Sequence, residues 1–292
     1  MSAIDWSDPE SAGELVVRQA LEEDRAFDDP ATSALGPAAF RTSVCSVSAR
    51  EPTVVAGWFL LEKAFEFLSR GPGDDEVAFR QLIPEGKRVE GGRAIGTVTG
   101  PAHILLRGER VGLNLLCRLS GIASLTRMYV DAVTGTGVEV LDTRKTTPCL
   151  RALEKYAVRM GGGVNHRMDL SGMAMIKDNH LAVLGGADHL GTVMERLRRK
   201  QLPVEIEVDS IPQLRRVLDE KPDRILLDNM DVSELREAVG ICAGTGVYLE
   251  ASGGITLDNI RQYAETGVDG ISCGALTHSA RSADIGLDWE RA

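Results

Sequence analysis

Positively charged side chains gather in one stretch of this chain, residues 138–180, although the chain as a whole is acidic. The stretch contains two short apolar runs, 138–141 and 173–176, and charged residues follow each run at once. Its cationic and near-cationic residues are Arg144, Lys145, His166, Arg167 and Lys177. Active sites of α/β proteins lie at the carboxyl ends of parallel strands, and grouped cations attract anions. The stretch therefore predicts an anion-binding site, and the alternative is a set of solvated surface loops.

The composition is that of a globular protein with one large α/β domain or two smaller ones. The chain has 292 residues, of which 43% are hydrophobic and 26% are charged. A formal net charge of -10 disfavours general attraction to nucleic acid or to an anionic membrane. An anionic ligand must then be bound by a local cluster of cations.

The cysteines and the N-terminal sequence favour a cytoplasmic protein. The five cysteines are odd in number and form no C-x-x-C pair, so neither a disulfide framework nor a zinc site is predicted. The N-terminus, MSAIDWSDPE, lacks the basic and apolar segments of a signal peptide. No apolar run is long enough to span a bilayer. We expect neither a membrane nor a nucleic-acid partner.

The first third of the chain predicts a small mixed α+β domain without obvious chemistry. Apolar spacing predicts helices at residues 11–26 and 60–68. Short β-rich runs separated by glycines predict strands at 41–48, 53–56, 77–82, 93–99 and 103–105.

The longest helix is predicted over residues 110–132 and links the two parts of the chain. Arg110 would lie in its first turn, where a cation opposes the positive end of the helix dipole unless an anion is nearby. The alternative is a solvated arginine beside Glu109.

Strand–loop–helix units recur from residue 138 onward. Besides the two apolar runs, strands are predicted at 204–208, 224–227, 247–250 and 270–273. About six short parallel strands with polar ends indicate a closed or nearly closed α/β barrel. The sequence has no G-x-G-x-x-G, so a Rossmann nucleotide site is not predicted.

The strand at 204–208 alternates apolar and acidic residues. Its apolar residues would face the helices, so Glu205, Glu207 and Asp209 would face the barrel interior. Carboxylates there are costly unless they bind a metal ion, a cation or a hydroxyl. Asp228 ends the next strand, so Glu207 and Asp228 could hold Mg²⁺ together with substrate phosphates. The alternative is an edge strand with a solvated acidic face.

The last two units end in glycine. Ser252, Gly253 and Gly254 precede Thr256, a predicted helix N-cap, and Gly274 precedes another short helix. Glycine lets backbone N–H groups approach an anion, and phosphate sites of β/α barrels often use these last loops. The alternative is a pair of tight turns.

Several segments, in order along nearly the whole chain, resemble the quinolinate phosphoribosyltransferase family. They are Thr143-Arg144-Lys145-Thr146-Thr147-Pro148, Gly161-Gly162-Gly163 with Asn165-His166-Arg167, Ile176-Lys177-Asp178-Asn179-His180, Glu205-Ile206-Glu207-Val208-Asp209, Leu227-Asp228-Asn229 and Glu250-Ala251-Ser252-Gly253-Gly254-Ile255. Each segment alone is a weak signal, and together they are strong.

The resemblance implies an α/β fold: an incomplete (β/α) barrel of about six parallel strands with an N-terminal mixed α+β domain. We expect the N-terminal domain at residues 1–115 and the barrel at 116–275, with the tail 276–292 packing back on the former. The implied assembly is a homodimer or a higher oligomer. The implied reaction of NAD biosynthesis joins quinolinate and phosphoribosyl pyrophosphate, giving nicotinate mononucleotide, pyrophosphate and carbon dioxide, with Mg²⁺ as cofactor.

The resemblance also implies residue roles. The two carboxylates of quinolinate would be held by Arg144, Arg167 and Lys177, with Thr143, Lys145 and His166 nearby. Arg110 would enter the site from the partner subunit. The ribose and Mg²⁺ would face Glu207 and Asp228. The phosphate on ribose C5 would be bound by Ser252, Gly253, Gly254 and Gly274. The implied catalytic set is Lys145, Lys177, Glu207 and Asp228.

Two residues depart from the family pattern: Cys149 stands where glycine is expected, and Gly172 stands where aspartate is expected. Neither removes an implied ligand. Two alternatives stay open, a related phosphoribosyltransferase that takes a different base and a non-catalytic binding protein on the same fold. The first would lack part of the dicarboxylate set, and the second would lack Glu207, Asp228 or the glycine loops.

Overall fold

The computed structural model describes residues 5–69, 76–185 and 189–290. The chain divides into two compact units. The first consists of Met1–Arg127, Thr146–Gly162 and Leu276–Ala292, and the second of Met128–Lys145 and Gly163–Ala275. Within the described ranges, no helix combines the length and the apolar character that crossing a membrane requires.

The first unit contains two antiparallel β-structures. Their strands are β1 (Thr42–Ala49), β2 (Thr53–Val54), β3 (Ala78–Gln81), β4 (Arg88–Val89), β5 (Ala94–Pro101) and β12 (Ile285–Trp289). A four-stranded sheet has the order β12-β1-β5-β3, and β2 pairs with β4. The C-terminal strand β12 was not predicted, although Ile285 and Leu287 alternate with Gly286 and Asp288 and are both buried. Its register places Leu287 opposite Val47 of β1.

The α-helices of the described ranges are α1 (Pro9–Glu23), α2 (Pro30–Ala34), α3 (Trp58–Ser69), α4 (Ala102–Ala132), α5 (Arg151–Gly161), α6 (Asp178–Leu184), α7 (Leu190–Arg198), α8 (Ile211–Leu218), α9 (Val232–Cys242), α10 (Ile260–Ala264) and α11 (Ala275–His278). The first of them begins where sequence chemistry favours it. Asp8 caps α1 by accepting a hydrogen bond from the N–H of Ser11 at 2.7 Å.

The start of α4 corrects two predictions. Residues 103–105 are helical rather than a strand, and the helix begins at Ala102, eight residues before Arg110. Arg110 is therefore not in the first turn, and the argument from the helix dipole does not apply to it. A short apolar run does not by itself distinguish a strand from a helix. Here the apolar residues after the run recur at helical spacing, so the run belongs to the apolar face of α4. The boundary predicted between residues 115 and 116 lies within this same helix.

The second unit is built on a six-stranded parallel sheet. Its strands are β6 (Glu139–Leu141), β7 (Ala174–Ile176), β8 (Val204–Val208), β9 (Arg224–Asp228), β10 (Tyr248–Ser252) and β11 (Gly270–Ser272). The order is β6-β11-β10-β9-β8-β7. From β7 to β11 each strand neighbours the next in the chain, and β6 joins beyond β11. This is the cyclic order of a barrel that is open between β6 and β7, as the predicted incomplete barrel requires.

The helix after β10 is shorter than predicted. It begins at Ile260 with Asn259 as its N-cap, so the prediction of Thr256 as the N-cap is wrong. The N–H of Thr256 donates instead to Oδ1 of Asn259 at 2.7 Å, which forms a turn ahead of the helix.

Cys149 has a left-handed backbone in the first unit, with a φ angle of 66°. Glycine adopts this conformation without the steric penalty that a Cβ atom brings. The glycine that the resemblance led us to expect at this position therefore suits the backbone better than the cysteine present.

A glycine substitution in α4 tests the packing of the first unit. A Cβ atom on Gly121 would lie 2.0 Å from the carbonyl oxygen of Arg281, whereas one on Gly240 in α9 would meet nothing within 4 Å. We expect Gly121→Ala to lower the free energy of unfolding by about 1–3 kcal/mol. The matched Gly240→Ala should raise it by about 0.5–1 kcal/mol, since alanine is the better helix former. Urea unfolding measures both, and equal effects would contradict the close contact.

Candidate active site

The carboxyl ends of the six parallel strands surround a cavity of about 400 Å³ in the second unit. Its lining residues are Thr143, Arg144, Lys145, His166, Arg167, Met175, Lys177, Glu207, Leu226, Asp228, Glu250, Ser252 and Ser272. Of the predicted site residues, all line this cavity except Arg110, Gly253, Gly254 and Gly274. The structure thus brings the predicted cations and the predicted carboxylates together at one edge of the sheet.

The residues outside the lining are placed as follows. Arg110 is an exposed residue of α4 in the first unit. Gly253 and Gly254 follow Ser252 directly, and both have positive φ angles, 95° and 62°. Gly274 comes two residues after Ser272.

Gly253 is required by a close approach of the chain. A Cβ atom there would lie 2.2 Å from Oδ1 of Asn229. The N–H of Asn229 donates to the carbonyl of Ser252 at 2.8 Å, so the ends of β9 and β10 are held side by side. This glycine therefore has a packing reason as well as the predicted reason of phosphate binding.

Two guanidinium groups share the cationic side of the cavity. Burial, and then the charge of Arg144, lower the pKa of Arg167. Arg167 donates to the carbonyl of Met173 at 2.9 Å and to Sδ of Met175 at 3.4 Å. The buried Nε atom of Arg144 has no hydrogen-bond partner within the described ranges. Two neighbouring like charges, for which no anionic partner is seen in the described ranges, favour an anion between them.

Lys177 connects the cationic side to the acidic side. Its ammonium group forms an ion pair with Glu207, and the two side chains are 40% and 16% exposed. Its backbone N–H donates to Nδ1 of His180 at 3.1 Å, so His180 has a structural role at the start of α6. The ion pair lies at the point where the predicted ligands of quinolinate and of ribose meet.

Glu207 and Asp228 also line a smaller pocket of about 80 Å³. Asp178 and Asp209 contribute further carboxylates to this pocket. Mg²⁺ binds hard oxygen ligands, usually one or two carboxylates together with substrate phosphates and water. The donor set at this edge of the cavity therefore fits Mg²⁺.

Two fully buried carboxylates lie next to the cavity, and one of them, Glu250, is also a lining residue. Glu205 on β8 and Glu250 on β10 are both 0% exposed. The predicted inward direction of Glu205 is confirmed by its contact, at 2.9 Å, with His166, which lines the cavity. Arg224 on β9 donates to Oε2 of Glu250 at 2.7 Å, and its Nε atom lies 3.7 Å from Oε1 of Glu205. We call Glu205, Arg224 and Glu250 the buried cluster. Burial, and then the charge of Glu205, raise the pKa of Glu250, while His166, Ser272 and Arg224 act in the opposite direction.

The segment around His166 is fastened to β6. Asp142, which is fully buried, accepts hydrogen bonds from Nδ2 of Asn165 at 2.6 Å and from the N–H of His166 at 2.9 Å. Val164 forms a parallel bridge with Leu141. A residue inside the charged motif after β6 thus fixes a second motif more than twenty residues later.

Glycine at position 172, where the family pattern has aspartate, does not disrupt the loop before β7. Oδ1 of Asp169 accepts hydrogen bonds from the N–H groups of Ser171 at 2.7 Å and of Gly172 at 3.2 Å. A Cβ atom on Gly172 would meet nothing within 4 Å. The loop before β7 is therefore closed by Asp169, whichever residue follows at position 172.

Sequence reasoning missed Met175, Leu226, Glu250 and Ser272 as lining residues of the cavity. A signal for Leu226 and Glu250 was present, because side chains of a strand alternate between its two faces. Asp228 and Ser252 were placed correctly at strand ends, and the residues two positions earlier share their faces. Counting back two residues from Asp228 and from Ser252, along the same face of each strand, would have identified Leu226 and Glu250.

The described chain has one group of at least three His, Cys, Asp or Glu residues that could hold a metal ion: His166, Glu205 and Glu250, with ligand atoms within 4.8 Å of one another. This is not the predicted magnesium set of Glu207 and Asp228. Arg224 already supplies a positive charge to both carboxylates of the group. A protein cation therefore already offsets part of the negative charge of this group.

Fold and cavity together define an α/β-barrel protein with an anion site at the carboxyl ends of its strands. Comparison with known families agrees with this class. The C-terminal domain of quinolinate phosphoribosyl transferase matches residues 122–288, and the N-terminal domain matches residues 29–120. This chain belongs to the quinolinate phosphoribosyltransferase family.

Individual relatives resemble the chain along most of its length. The nicotinate-nucleotide pyrophosphorylase [carboxylating] of Mycobacterium leprae is 47% identical over 277 residues, covering 93% of this chain and 95% of that protein. The quinolinate phosphoribosyltransferase [decarboxylating] 1 of Nicotiana glauca is 39% identical over 291 residues, covering 93% and 81%. The solved nicotinate-nucleotide pyrophosphorylase of Francisella tularensis superposes with a TM-score of 0.87 at 30% identity, covering 97% of each chain.

The raised pKa of Glu250 predicts a pH-dependent stability. An unfolded glutamate loses its proton near 4.5, whereas the folded protein retains it to higher pH. The folded state then binds more protons than the unfolded state, so stability falls as pH rises from about 4.5 through the raised pKa. Glutamine does not ionise, so Glu250→Gln should lack this loss of stability. We therefore expect the difference in unfolding temperature, variant minus wild type, to become more positive as the pH rises over this range. Glu195→Gln, at an exposed ion pair, is the control and should show a nearly constant difference.

Proposed function

We propose that this chain transfers a phosphoribosyl group from phosphoribosyl pyrophosphate to quinolinate, with decarboxylation, to give nicotinate mononucleotide, pyrophosphate and carbon dioxide. It is an enzyme of the pentosyltransferase class, as its family and the names of its relatives indicate. The observation that carries the proposal is the cavity, whose lining combines the cations Arg144, Arg167 and Lys177 with the carboxylates Glu207 and Asp228. This arrangement matches a substrate with two carboxylates and a second substrate with a ribose and phosphates.

The cationic side suits quinolinate. Arginine presents a planar fork that binds a carboxylate through two hydrogen bonds, and lysine binds it as a point charge. Arg144, Arg167 and Lys177 supply both kinds of group for two neighbouring carboxylates on one ring. Thr143 and Lys145 line the cavity beside them.

The acidic side suits the reacting ribose. Departure of pyrophosphate leaves positive charge on ribose C1 and its ring oxygen, and carboxylates placed nearby stabilise that charge. We assign this role to Glu207 and Asp228. Mg²⁺, which we propose as the cofactor, would neutralise charge on the leaving pyrophosphate when bound. Lys177 would turn from Glu207 toward a substrate carboxylate as the site fills.

No nucleophilic side chain is needed in this reaction. The pyridine nitrogen supplies the electron pair for the new bond to ribose C1, and pyrophosphate leaves with the electrons of the broken C–O bond. The ring nitrogen then carries positive charge, which stabilises the electron pair left at ring C2 when carbon dioxide departs. A proton from solvent completes the product. The cations of the cavity hold the departing carboxylate in position beforehand.

We assign the phosphate on ribose C5 to Ser252, Gly253, Gly254 and Gly274. The helices that follow these loops are short, with five residues in α10 and four in α11. Binding would therefore rest on the hydroxyl group of Ser252 and on backbone N–H groups of the loops rather than on a helix dipole.

We also propose a homodimer or higher oligomer in which Arg110 of one subunit completes the site of its partner. The support is that Arg110 is an exposed cation and that the family resemblance gives it this role. A cytoplasmic location is proposed from the odd number of cysteines and the absence of a C-x-x-C pair.

An assay with two alternative bases tests the reaction. Purified protein is given phosphoribosyl pyrophosphate and Mg²⁺ with quinolinate or nicotinate, and the release of pyrophosphate and carbon dioxide is measured. We expect turnover with quinolinate alone. Lys177→Met should lower kcat/KM for quinolinate by about 100-fold, since a hydrogen bond to a charged group is lost. Lys200→Met, at an exposed position, is the control and should be unchanged.

Other outcomes decide between the alternatives. Turnover only with nicotinate or another base would assign the chain to a phosphoribosyltransferase of different specificity. Binding of quinolinate without turnover would assign it to a non-catalytic binding protein. Full activity in the presence of a chelator would contradict the proposed cofactor.

Mixing inactive variants tests the shared site. Arg110→Met and Lys177→Met alone should each be nearly inactive. A heterodimer of the two has one site with both changes and one native site, so co-expression should restore about a quarter of wild-type activity.

The control pair is Lys177→Met with Asp228→Asn. If both residues belong to the same subunit's site, every site in the mixture carries one change and no activity returns. Restoration by the control pair, or none by the Arg110 pair, would contradict the assignment of Arg110 to the partner.

A further inference from the structure

Both ring nitrogens of His166 are already engaged by the protein. Nδ1 accepts a hydrogen bond from the backbone N–H of Arg167 at 2.8 Å, so Nδ1 carries a lone pair and no proton. Nε2 lies 2.9 Å from Oε2 of Glu205 and 3.5 Å from Oε2 of Glu250. An imidazole needs at least one N–H, and only Nε2 can carry it here. The geometry therefore places the ring proton on Nε2, directed at the buried carboxylates and away from any ligand.

The buried cluster fixes the ring from below. Glu205 and Glu250 stand on β8 and β10, and Arg224 on β9 lies between them. The Arg224 guanidinium also stacks over the ring of Tyr248 at 3.9 Å from its centroid. The hydroxyl of Tyr248 donates to Glu139 at 2.8 Å. Three adjacent strands thus hold the acceptor of Nε2–H in one place, which fixes the orientation of the imidazole.

The fixed imidazole ring in turn holds Arg167 in position. Its backbone N–H is held by His166, and its guanidinium is held by the carbonyl of Met173 and Sδ of Met175. Both ends of the residue are therefore constrained, while the guanidinium lines the cavity. A cation held in this way binds a carboxylate with little loss of side-chain freedom.

We propose that His166 acts as a positioning residue for Arg167 and does not itself bind the dicarboxylate. The buried cluster keeps the imidazole in its Nε2–H form, and Arg167 makes the contact with substrate. This inference rests on the proposed function, since the dicarboxylate is the substrate named there. It extends the functional set to Glu205, Arg224 and Glu250, which act through His166.

A metal ion at His166, Glu205 and Glu250 would be the competing interpretation of the same atoms. Such an ion needs Nε2 without a proton, whereas the hydrogen bond at Nδ1 requires the proton on Nε2. The positive charge of Arg224 lies 2.7 Å from the Glu250 carboxylate and would repel a metal ion at that oxygen.

A double-mutant cycle tests the proposal. Quinolinate affinity is measured by calorimetry for wild type, His166→Ala, Arg167→Met and the double variant. We expect His166→Ala to weaken binding about tenfold in the native background, because Arg167 loses its fixed backbone. In the Arg167→Met background the same change should have no further effect. If His166 were an independent ligand, the two losses would multiply, and the proposal would be overturned.

A second variant and an NMR measurement test the proposal even if His166→Ala does not fold, and neither requires turnover. His166→Asn retains a carbonyl oxygen near the place of Nδ1, so its affinity should exceed that of His166→Ala, and it replaces the alanine variant if the latter does not fold. Nitrogen NMR of the His166 ring should show the Nε2–H form with and without quinolinate. An imidazolium signal, or a stoichiometric metal ion lost in His166→Asn, would overturn the proposal. Wild-type protein that binds no quinolinate would remove the proposed function, whereas the NMR result would still decide the state of the ring.

Discussion

Two carboxylates, Glu205 and Glu250, lie in the barrel where water does not reach them, and the second unit depends on how their charge is balanced. A buried carboxylate without partners costs several kcal/mol, and two side by side repel each other as well. The chain balances them with Arg224 from the strand between and with the N–H of His166. Burial raises the pKa of Glu250, so protonation offers a further way to reduce the repulsion.

The buried cluster is connected to the residues that line the cavity. His166 connects the buried cluster to the backbone of Arg167, and Asp142 fixes the same segment from the side of β6. Above this layer like charges meet, because the charge of Arg144 acts on Arg167, and the buried Nε atom of Arg144 has no hydrogen-bond partner in the described ranges. In the lower layer His166 and Arg224 serve Oε2 of Glu205 and of Glu250, whereas Oε1 of each glutamate is buried without a hydrogen-bond partner in the described ranges.

The ion pair between Lys177 and Glu207 occupies the border between the two halves of the site. Each partner is proposed to bind a different substrate. Without substrates they neutralise each other, so the cavity does not carry an unbalanced charge. When a dicarboxylate and a pyrophosphate enter, each group exchanges one charged partner for another. The net electrostatic change is then smaller than the formal charges of the substrates suggest.

The amino-acid sequence by itself determined the six parallel strands, the inward direction of Glu205 and Glu207, and most of the cavity lining. These follow from local rules: strands alternate their faces, and polar residues after a buried strand lie at its carboxyl end. The sequence did not determine the start of α4, the pairing of β12 with β1, or the state of His166. A short apolar run fits a helix as well as a strand, and strand partners far apart in the chain leave no local trace. Only the tertiary structure placed Glu250 beside Glu205, Nε2 of His166 against the Glu205 carboxylate and Nδ1 against the N–H of Arg167. The contacts among Glu205, Glu250 and His166 join segments that are far apart in the chain, and no local pattern encodes the distances between them.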